Sequence, residues 1–210
     1  MTYYKSVPEV TIKRLLLYYR FLKILSKNKI EIICSSEIGK YLNIPSAQVR
    51  KDFSYFGGFG TKGLGYRVDN LLKALKEILG INKKLSAVII GAGNLGNALI
   101  NYDNFSKLGL TITHIFDIDL NIINKDIGNL KIKSIKEMPE IIKNNSIKIA
   151  IITVPGQSGQ EVCDILVSSG IKTIWNFAPI KLNTPENIYV HNEDLIIGIT
   201  SLIHDLSWKS

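Results

Sequence analysis

The sequence predicts an α/β chain in two parts, a small basic helical domain followed by a doubly wound parallel sheet. Three observations carry this. Residues 1 to 80 hold 14 Lys and Arg against 6 Asp and Glu, while residues 81 to 210 hold 12 against 12, so the first part carries the whole formal charge of +8. A glycine-rich turn, Gly91-Ala92-Gly93-Asn94-Leu95-Gly96, begins only after that basic stretch. Beyond the turn, apolar runs of strand type alternate with helical spacing, the pattern of a sheet with helices on both faces. A basic part joined to a neutral part implies two different partners, with a polyanion for the first.

The composition, 46% hydrophobic and 21% charged over 210 residues, is that of a globular protein able to bury a real core. No apolar run approaches the roughly 18 residues of a membrane span, and the start, Met-Thr-Tyr-Tyr-Lys-Ser-Val-Pro-Glu, lacks the apolar stretch of a signal peptide. A cytoplasmic protein without a membrane partner is expected. The two cysteines, Cys34 and Cys163, lack the paired spacing of a zinc site or a redox motif. They read as reduced thiols, no metal is expected, and a thiol-based role is left open.

In the basic part, Ile12, Leu15, Leu16, Tyr19 and Leu22 recur at helical spacing after Pro8, which predicts a first helix over roughly 8 to 27. Ser35 and Ser36 are positioned to cap a short second helix to about Leu42, Asn43-Ile44-Pro45 forms a turn, and Ser46 is positioned to cap a third helix to about Phe56. This is the order of a helix-turn-helix reader of DNA. Val49, Phe53 and Phe56 share one side of the third helix, which places Ala47, Lys51 and Ser54 opposite and Gln48, Arg50 and Tyr55 on the flanks. Arg and Lys donate to guanine edges and Gln pairs with adenine, while Ser46 near the helix start suits a phosphate. The run Gly57 to Arg67 is too rich in glycine for a helix and predicts a tight hairpin, the wing of a winged helix, with Lys62 near its tip for an adjacent minor groove.

In the second part, Leu85 to Ile90 predicts a buried strand, the glycine turn follows, and a helix runs from Asn97 to about Lys107. The three glycines act differently. Gly91 turns tightly, Gly93 lets a pyrophosphate approach, and Gly96 packs helix on strand, the fingerprint of a Rossmann domain. A second strand, Leu110 to Phe116, ends at Asp117, 21 residues beyond Gly96, where a carboxylate accepts ribose hydroxyls and repels a 2′-phosphate. NAD(H) is therefore expected over NADP(H). The strands at Ile147 to Val154 and Ile171 to Phe177 enclose a helix at Ser158 to Ser169. Thr153, Val154 and Pro155 and then Asn176, Phe177 and Ala178 fall at carboxyl ends of strands, where such sheets bind ligands.

A last helix, about Glu193 to Trp208, carries more apolar residues than one face holds, which predicts a homodimer with this helix buried by the partner subunit. The expected domains are therefore 1–80, 81–192 and 193–210. Two competing classes follow from the same features. One is an NAD-dependent dehydrogenase with a basic appendage, but His114, His191 and His204 form no recognisable catalytic constellation, so no catalytic residue is assigned. The other is a nucleotide-gated module whose basic domain binds protein or RNA.

The strings Val-Arg-Lys-Asp-Phe-Ser-Tyr-Phe-Gly at 49 to 57, Gly-Thr-Lys-Gly-Leu-Gly-Tyr at 60 to 66, Gly91 to Gly96 and Asn-Phe-Ala-Pro at 176 to 179 resemble the Rex family of redox-sensing transcriptional repressors. The likeness runs in order over nearly the whole chain. It implies a homodimer of winged-helix and Rossmann domains, joined by a swapped C-terminal helix, that binds AT-rich inverted-repeat operators and lets go when NADH replaces NAD+. It also implies that Arg20, Tyr102 and Asp194 couple the two sites, the Asp pairing with either of the others. One departure is Phe53, where the family more usually has Leu, which bears on packing of the third helix.

Overall fold

The computed structural model describes residues 7–61 and 63–208; Lys62, expected at the wing tip, lies outside them. The chain divides between Lys83 and Lys84 into two compact units.

The first unit opens with α1 (Glu9–Lys27), then β1 (Ile32–Ile33), α2 (Ser35–Leu42), α3 (Ser46–Ser54), the hairpin strands β2 (Gly60–Thr61) and β3 (Gly65–Arg67), and α4 (Val68–Ile78). Leu15, Tyr18 and Leu22 from α1, Ile38 from α2, Val49 and Phe53 from α3 and Leu71 and Leu75 from α4 form its core. Phe53 is well seated despite its size: Tyr18, Tyr66 and Phe59 meet its ring edge-on at centroid distances of 5.1, 5.2 and 6.2 Å, an arrangement that favours aromatic packing.

The capping expectations need correction. Cys34, not Ser35 or Ser36, occupies the cap of α2, and its N–H donates to the Glu37 carboxylate at 2.9 Å. Pro45 occupies the cap of α3, so Ser46 is the first helical residue. Asn43 ends α2 in the left-handed region at φ 54°. The wing forms as expected, and β1 adds a third strand by pairing antiparallel with β3, Ile33 opposite Tyr66.

The second unit continues with β4 (Leu85–Ile90), α5 (Asn94–Ile100), α6 (Asn104–Lys107), β5 (Leu110–Asp117), β6 (Asp126–Ile127), β7 (Leu130–Ser134), α7 (Met138–Asn144), β8 (Ile149–Ile152), α8 (Gly156–Ser168), β9 (Thr173–Asn176), β10 (Tyr189–Asn192) and α9 (Leu195–Trp208). The sheet order is β10-β9-β8-β4-β5-β7-β6, parallel except for the β6–β7 edge hairpin. Strand order reverses at β4, the switch point that opens a crevice beyond the strand ends.

Alternation sorts the central strands between two cores. Val88, Ile90, Ala150 and Ile152 face α7 and α8 through Met138, Ile142, Val162 and Leu166. Ile89, Ile115 and Ile151 face the other way, into a smaller cluster with Leu99, Trp175 and Phe177. The helix expected over 97 to 107 is two pieces, α5 and α6, so Tyr102 stands in the break between them. The Asn101 amide turns back onto the Asn97 carbonyl and side-chain oxygen at 2.9 and 2.8 Å, and this local pairing accompanies the interruption.

Candidate nucleotide site and nucleic-acid interface

Three glycines shape the turn between β4 and α5, and each is required differently. Gly91 has φ 104°, and a Cβ there would meet the Thr153 carbonyl at 2.8 Å; a Cβ on Gly96 would collide with the Gly91 carbonyl. A Cβ on Gly93 meets nothing within 4 Å. The first two serve the fold, and the third leaves space where a ligand backbone approaches.

Asp117 ends β5 beside this turn. Its Oδ2 accepts the Ala92 N–H at 2.7 Å, and its Oδ1 accepts the Ile118 and Asp119 N–H groups at 2.7 and 3.0 Å. A carboxylate has about four acceptor positions, so three backbone bonds fix its orientation and leave capacity for a sugar hydroxyl. Thr153 braces the turn from β8, its hydroxyl donating to the Gly91 carbonyl at 2.8 Å. Gly91, Gly93, Asp117, Thr153, Val154 and Pro155, with Ile118 and Ile135, line a cleft of about 210 Å³. Asn94 and Leu95 form the first turn of α5 next to it, Asn94 exposed.

Other expected ligand residues stand apart from this cleft. Tyr102 is 49% exposed and lines a separate hollow with Phe105, Leu110 and Leu130. Asn176 is buried, and its amide donates to the Ala178 and Ile180 carbonyls and to Asn192 Oδ1 at 3.1, 3.0 and 2.9 Å, while its Oδ1 accepts the Ala178 N–H at 3.0 Å. Asn176 therefore holds the loop from 176 to 180 in shape, and Ala178 is buried within it. Phe177 joins an aromatic chain that composition did not reveal: Tyr102 meets Phe105 at 5.1 Å, Phe105 meets Trp175 at 6.0 Å, and Trp175 meets Phe177 at 4.6 Å.

The three histidines stay outside the cleft. His114 on β5 stacks on Phe116, and burial together with the Lys133 ammonium pushes its pKa down. His191 lies 3.5 Å from Glu193, and His204 lies on α9 beside Asp205. Burial raises the Cys163 thiol to about 11, with the Asp164 charge adding to the shift, so this thiol stays protonated and unreactive. No helix among the described residues is long and apolar enough to cross a membrane, and no group of metal-ligating side chains occurs among them.

On α3, Ala47, Arg50, Lys51 and Ser54 are exposed, while Ser46, Gln48 and Tyr55 are half-buried. Arg50 donates to the Ser35 hydroxyl at the start of α2 at 3.1 Å, and α3 and the wing enclose a hollow lined by Arg50, Ser54, Ser35 and Thr61.

Beneath this face lies a cluster that sequence reasoning missed. Asp52, fully buried, accepts four hydrogen bonds: from Arg14 Nε at 2.6 Å and Tyr18 at 2.8 Å on Oδ2, and from Arg14 Nη2 at 2.7 Å and Gln48 Nε2 at 2.8 Å on Oδ1. Burial alone would raise its pKa, but the bonds from Arg14, Tyr18 and Gln48 outweigh that and hold it below the ordinary carboxylate value. Burial first, and then the bond to Asp52, push the Tyr18 phenol up. The available signal was a charge at 52 inside the apolar arc of Val49, Phe53 and Phe56, matched by Arg14 beside Leu15.

A wing and an exposed third helix in one unit, and a Rossmann turn with its strand-end carboxylate in the other, define a class of winged-helix proteins that carry a dinucleotide-type domain. Residues 6–54 match a family model described as a putative DNA-binding protein N-terminus, and residues 82–180 match one described as a CoA binding domain. The redox-sensing transcriptional repressor Rex of Desulforamulus reducens is 41% identical over 204 residues, covering 97% of both chains, and that of Pelotomaculum thermopropionicum is 44% identical, covering 97% of this chain and 96% of the relative. The crystal structure of RSP with β-NAD+ and operator DNA matches at a TM-score of 0.94 and 36% identity, covering 98% of this chain and 94% of that one. RSP with β-NADH matches at 0.87 and 35% identity, covering 98% and 96%. The chain belongs to the Rex family of redox-sensing transcriptional repressors.

Proposed function

We propose that this protein is a repressor that binds operator DNA as a homodimer and is released by NADH, and so senses the ratio of NADH to NAD+ in the cytoplasm. One observation carries the reading: a single chain combines an exposed Arg50 and Lys51 face on α3 with a cleft in which Asp117 and the glycine turn are already arranged for a dinucleotide. The Asp117 carboxylate, with Asp119 two residues on, disfavours a 2′-phosphate, so NAD(H) is the ligand.

The reading is of a regulator rather than an enzyme, supported by the membership of the chain in a family of transcriptional repressors. Ser46, Ala47, Gln48, Arg50, Lys51, Ser54, Tyr55 and Lys62 contact DNA, and operators are AT-rich inverted repeats. Residues 1–80, 81–192 and 193–210 are the DNA-binding, nucleotide-binding and dimerisation segments. Two facts support the last. Every large apolar residue of α9 is at least 52% exposed, and Trp175 and Phe177 remain only partly covered on the thinner face of the sheet. Parallel sheets are stable with both faces covered, and the partner's α9 supplies cover.

The nicotinamide half extends toward Tyr102 and the 176–178 loop, and Asp194 exchanges between Arg20 and Tyr102 as the ligand changes. In this structure Asp194 accepts the Ile196 N–H at 2.9 Å, a bond at the start of α9 that the exchange would perturb. The test is fluorescence anisotropy on an AT-rich inverted-repeat duplex with a scrambled control, titrated separately with NADH and NAD+ at fixed salt. Selective binding released by NADH and not by equal NAD+ is expected. Tight NADH binding without any effect on DNA would overturn the reading.

A further inference from the structure

The Asp52 cluster joins the helix that meets DNA to the helix behind it. Arg14 grips both carboxylate oxygens from α1, Tyr18 adds a third bond from the same helix, and Gln48 adds the fourth from one turn earlier on α3. The bidentate fork restrains the pitch and roll of α3 on α1 more tightly than apolar contacts alone, because its two parallel bonds are directional.

The Gln48 bond has a chemical consequence. An ionised carboxylate only accepts hydrogen bonds, so the amide nitrogen must face Asp52 Oδ1, and the flip that exchanges oxygen and nitrogen is disfavoured. One N–H and Oε1 remain, the pair that reads adenine N7 and N6. Gln48 is in the first turn of α3, the part of a recognition helix that reaches base edges.

We propose that Asp52 is a positioning residue for operator reading: without touching DNA, it sets the seat of α3 and fixes which end of the Gln48 amide faces the groove. The proposal rests on the operator-binding function above. Asp52→Asn would bring an amide donor among the four donors of Arg14, Tyr18 and Gln48 and release the Gln48 orientation.

The experiment selects duplexes from a randomised library with the wild type, then measures the best duplex and a scrambled one with Asp52→Asn, Tyr18→Phe, Gln48→Ala and the Asp52→Asn/Gln48→Ala double variant. NADH affinity and thermal midpoint are recorded for each. Asp52→Asn is expected to lower the ratio of selected to scrambled affinity by about tenfold, one good base contact, with scrambled affinity and NADH binding unchanged. The double variant is expected to lose no more base preference than Gln48→Ala alone, the non-additivity of a coupled pair.

A folded Asp52→Asn protein with the wild-type ranking would overturn the proposal, as would an equal loss on both duplexes, which is what a merely structural residue gives. If Asp52→Asn does not fold, Tyr18→Phe decides, since it removes one bond and keeps the ring: a reduced ratio supports the proposal and an unchanged ratio overturns it. If the wild type itself selects no sequence, operator reading fails first and the role of Asp52 falls with it.

Discussion

Two carboxylates do opposite work with the same atoms. Asp52 is saturated by four donors in the interior, whereas Asp117 takes three backbone N–H groups at the edge of a cleft and keeps capacity for one more. Hydrogen bonds to charged groups contribute about 1.5–3 kcal/mol, so Asp117→Ala should weaken NADH binding about 10- to 100-fold, measured by calorimetry. The Asp52 pKa lies below its unfolded value, so its stabilisation is present above the ordinary carboxylate range and is lost as pH falls through the folded value. Tyr18 has the opposite sign: its pKa is raised, so its contribution is complete below about 10 and lost as pH rises beyond that. Denaturation of the isolated wild-type protein, followed across both limits, checks the pair. Arg14→Leu leaves the buried carboxylate of Asp52 without its countercharge, held only by Tyr18 and Gln48, and should cost about 3–5 kcal/mol.

The glycines give a sharper contrast at the same scale. Gly93→Ala should leave the thermal midpoint within a few degrees and still reduce NADH affinity, because its Cβ points into open space at φ −69°. Gly96→Ala should lower both. The turn at Gly91, Gly93 and Gly96 and the strand end at Asp117 were legible because their placement depends on local spacing. Asp52 was not, because its partners Tyr18 and Arg14 lie 34 and 38 residues away. Asn176 has a role that its position at a strand end did not show: its amide holds the loop from 176 to 180 through Ala178, Ile180 and Asn192.

At the scale of elements, legibility followed length and partners. The 19-residue α1 and the buried β4 were visible from periodicity and apolar content alone. The two-residue β1 was invisible, since it exists only through pairing with β3. The break between α5 and α6 escaped because it depends on which way the Asn101 side chain turns. In the proposed homodimer, removing residues 195–208 should leave a monomer by analytical ultracentrifugation. Operator affinity should fall about 100-fold or more, since linked half-sites gain 10²–10⁴ in avidity.

At the scale of the molecule, the charge of +8 belongs to the part that meets DNA. Scrambled-duplex affinity should fall linearly with log salt, and Lys51→Ala should reduce the slope by about 0.9 while leaving the base ranking intact. Moving the population from 1:99 to 99:1 by NADH requires about a 10⁴-fold preference for one state of the proposed dimer. The division into a basic reader and a neutral nucleotide domain was legible from charge and one glycine turn, because each part answers to a different solvent-facing chemistry. What covers the second face of the sheet was not legible from either.

The chain has two tryptophans, and they stand in unlike surroundings. Trp175 is half-covered among Phe105 and Phe177, while Trp208 is 78% exposed near the end of α9. An indole that passes from water into an apolar contact shifts its emission to shorter wavelength. Under the proposed pairing the molecule has an optical gauge of its own: Trp208 reports assembly from α9, and Trp175, beside the aromatic chain that leads to Tyr102, reports it from the sheet face. With Trp208→Phe and Trp175→Phe to separate the two signals, dilution of the proposed dimer should redden both, Trp208 as α9 loses its partner and Trp175 as the sheet face loses its cover.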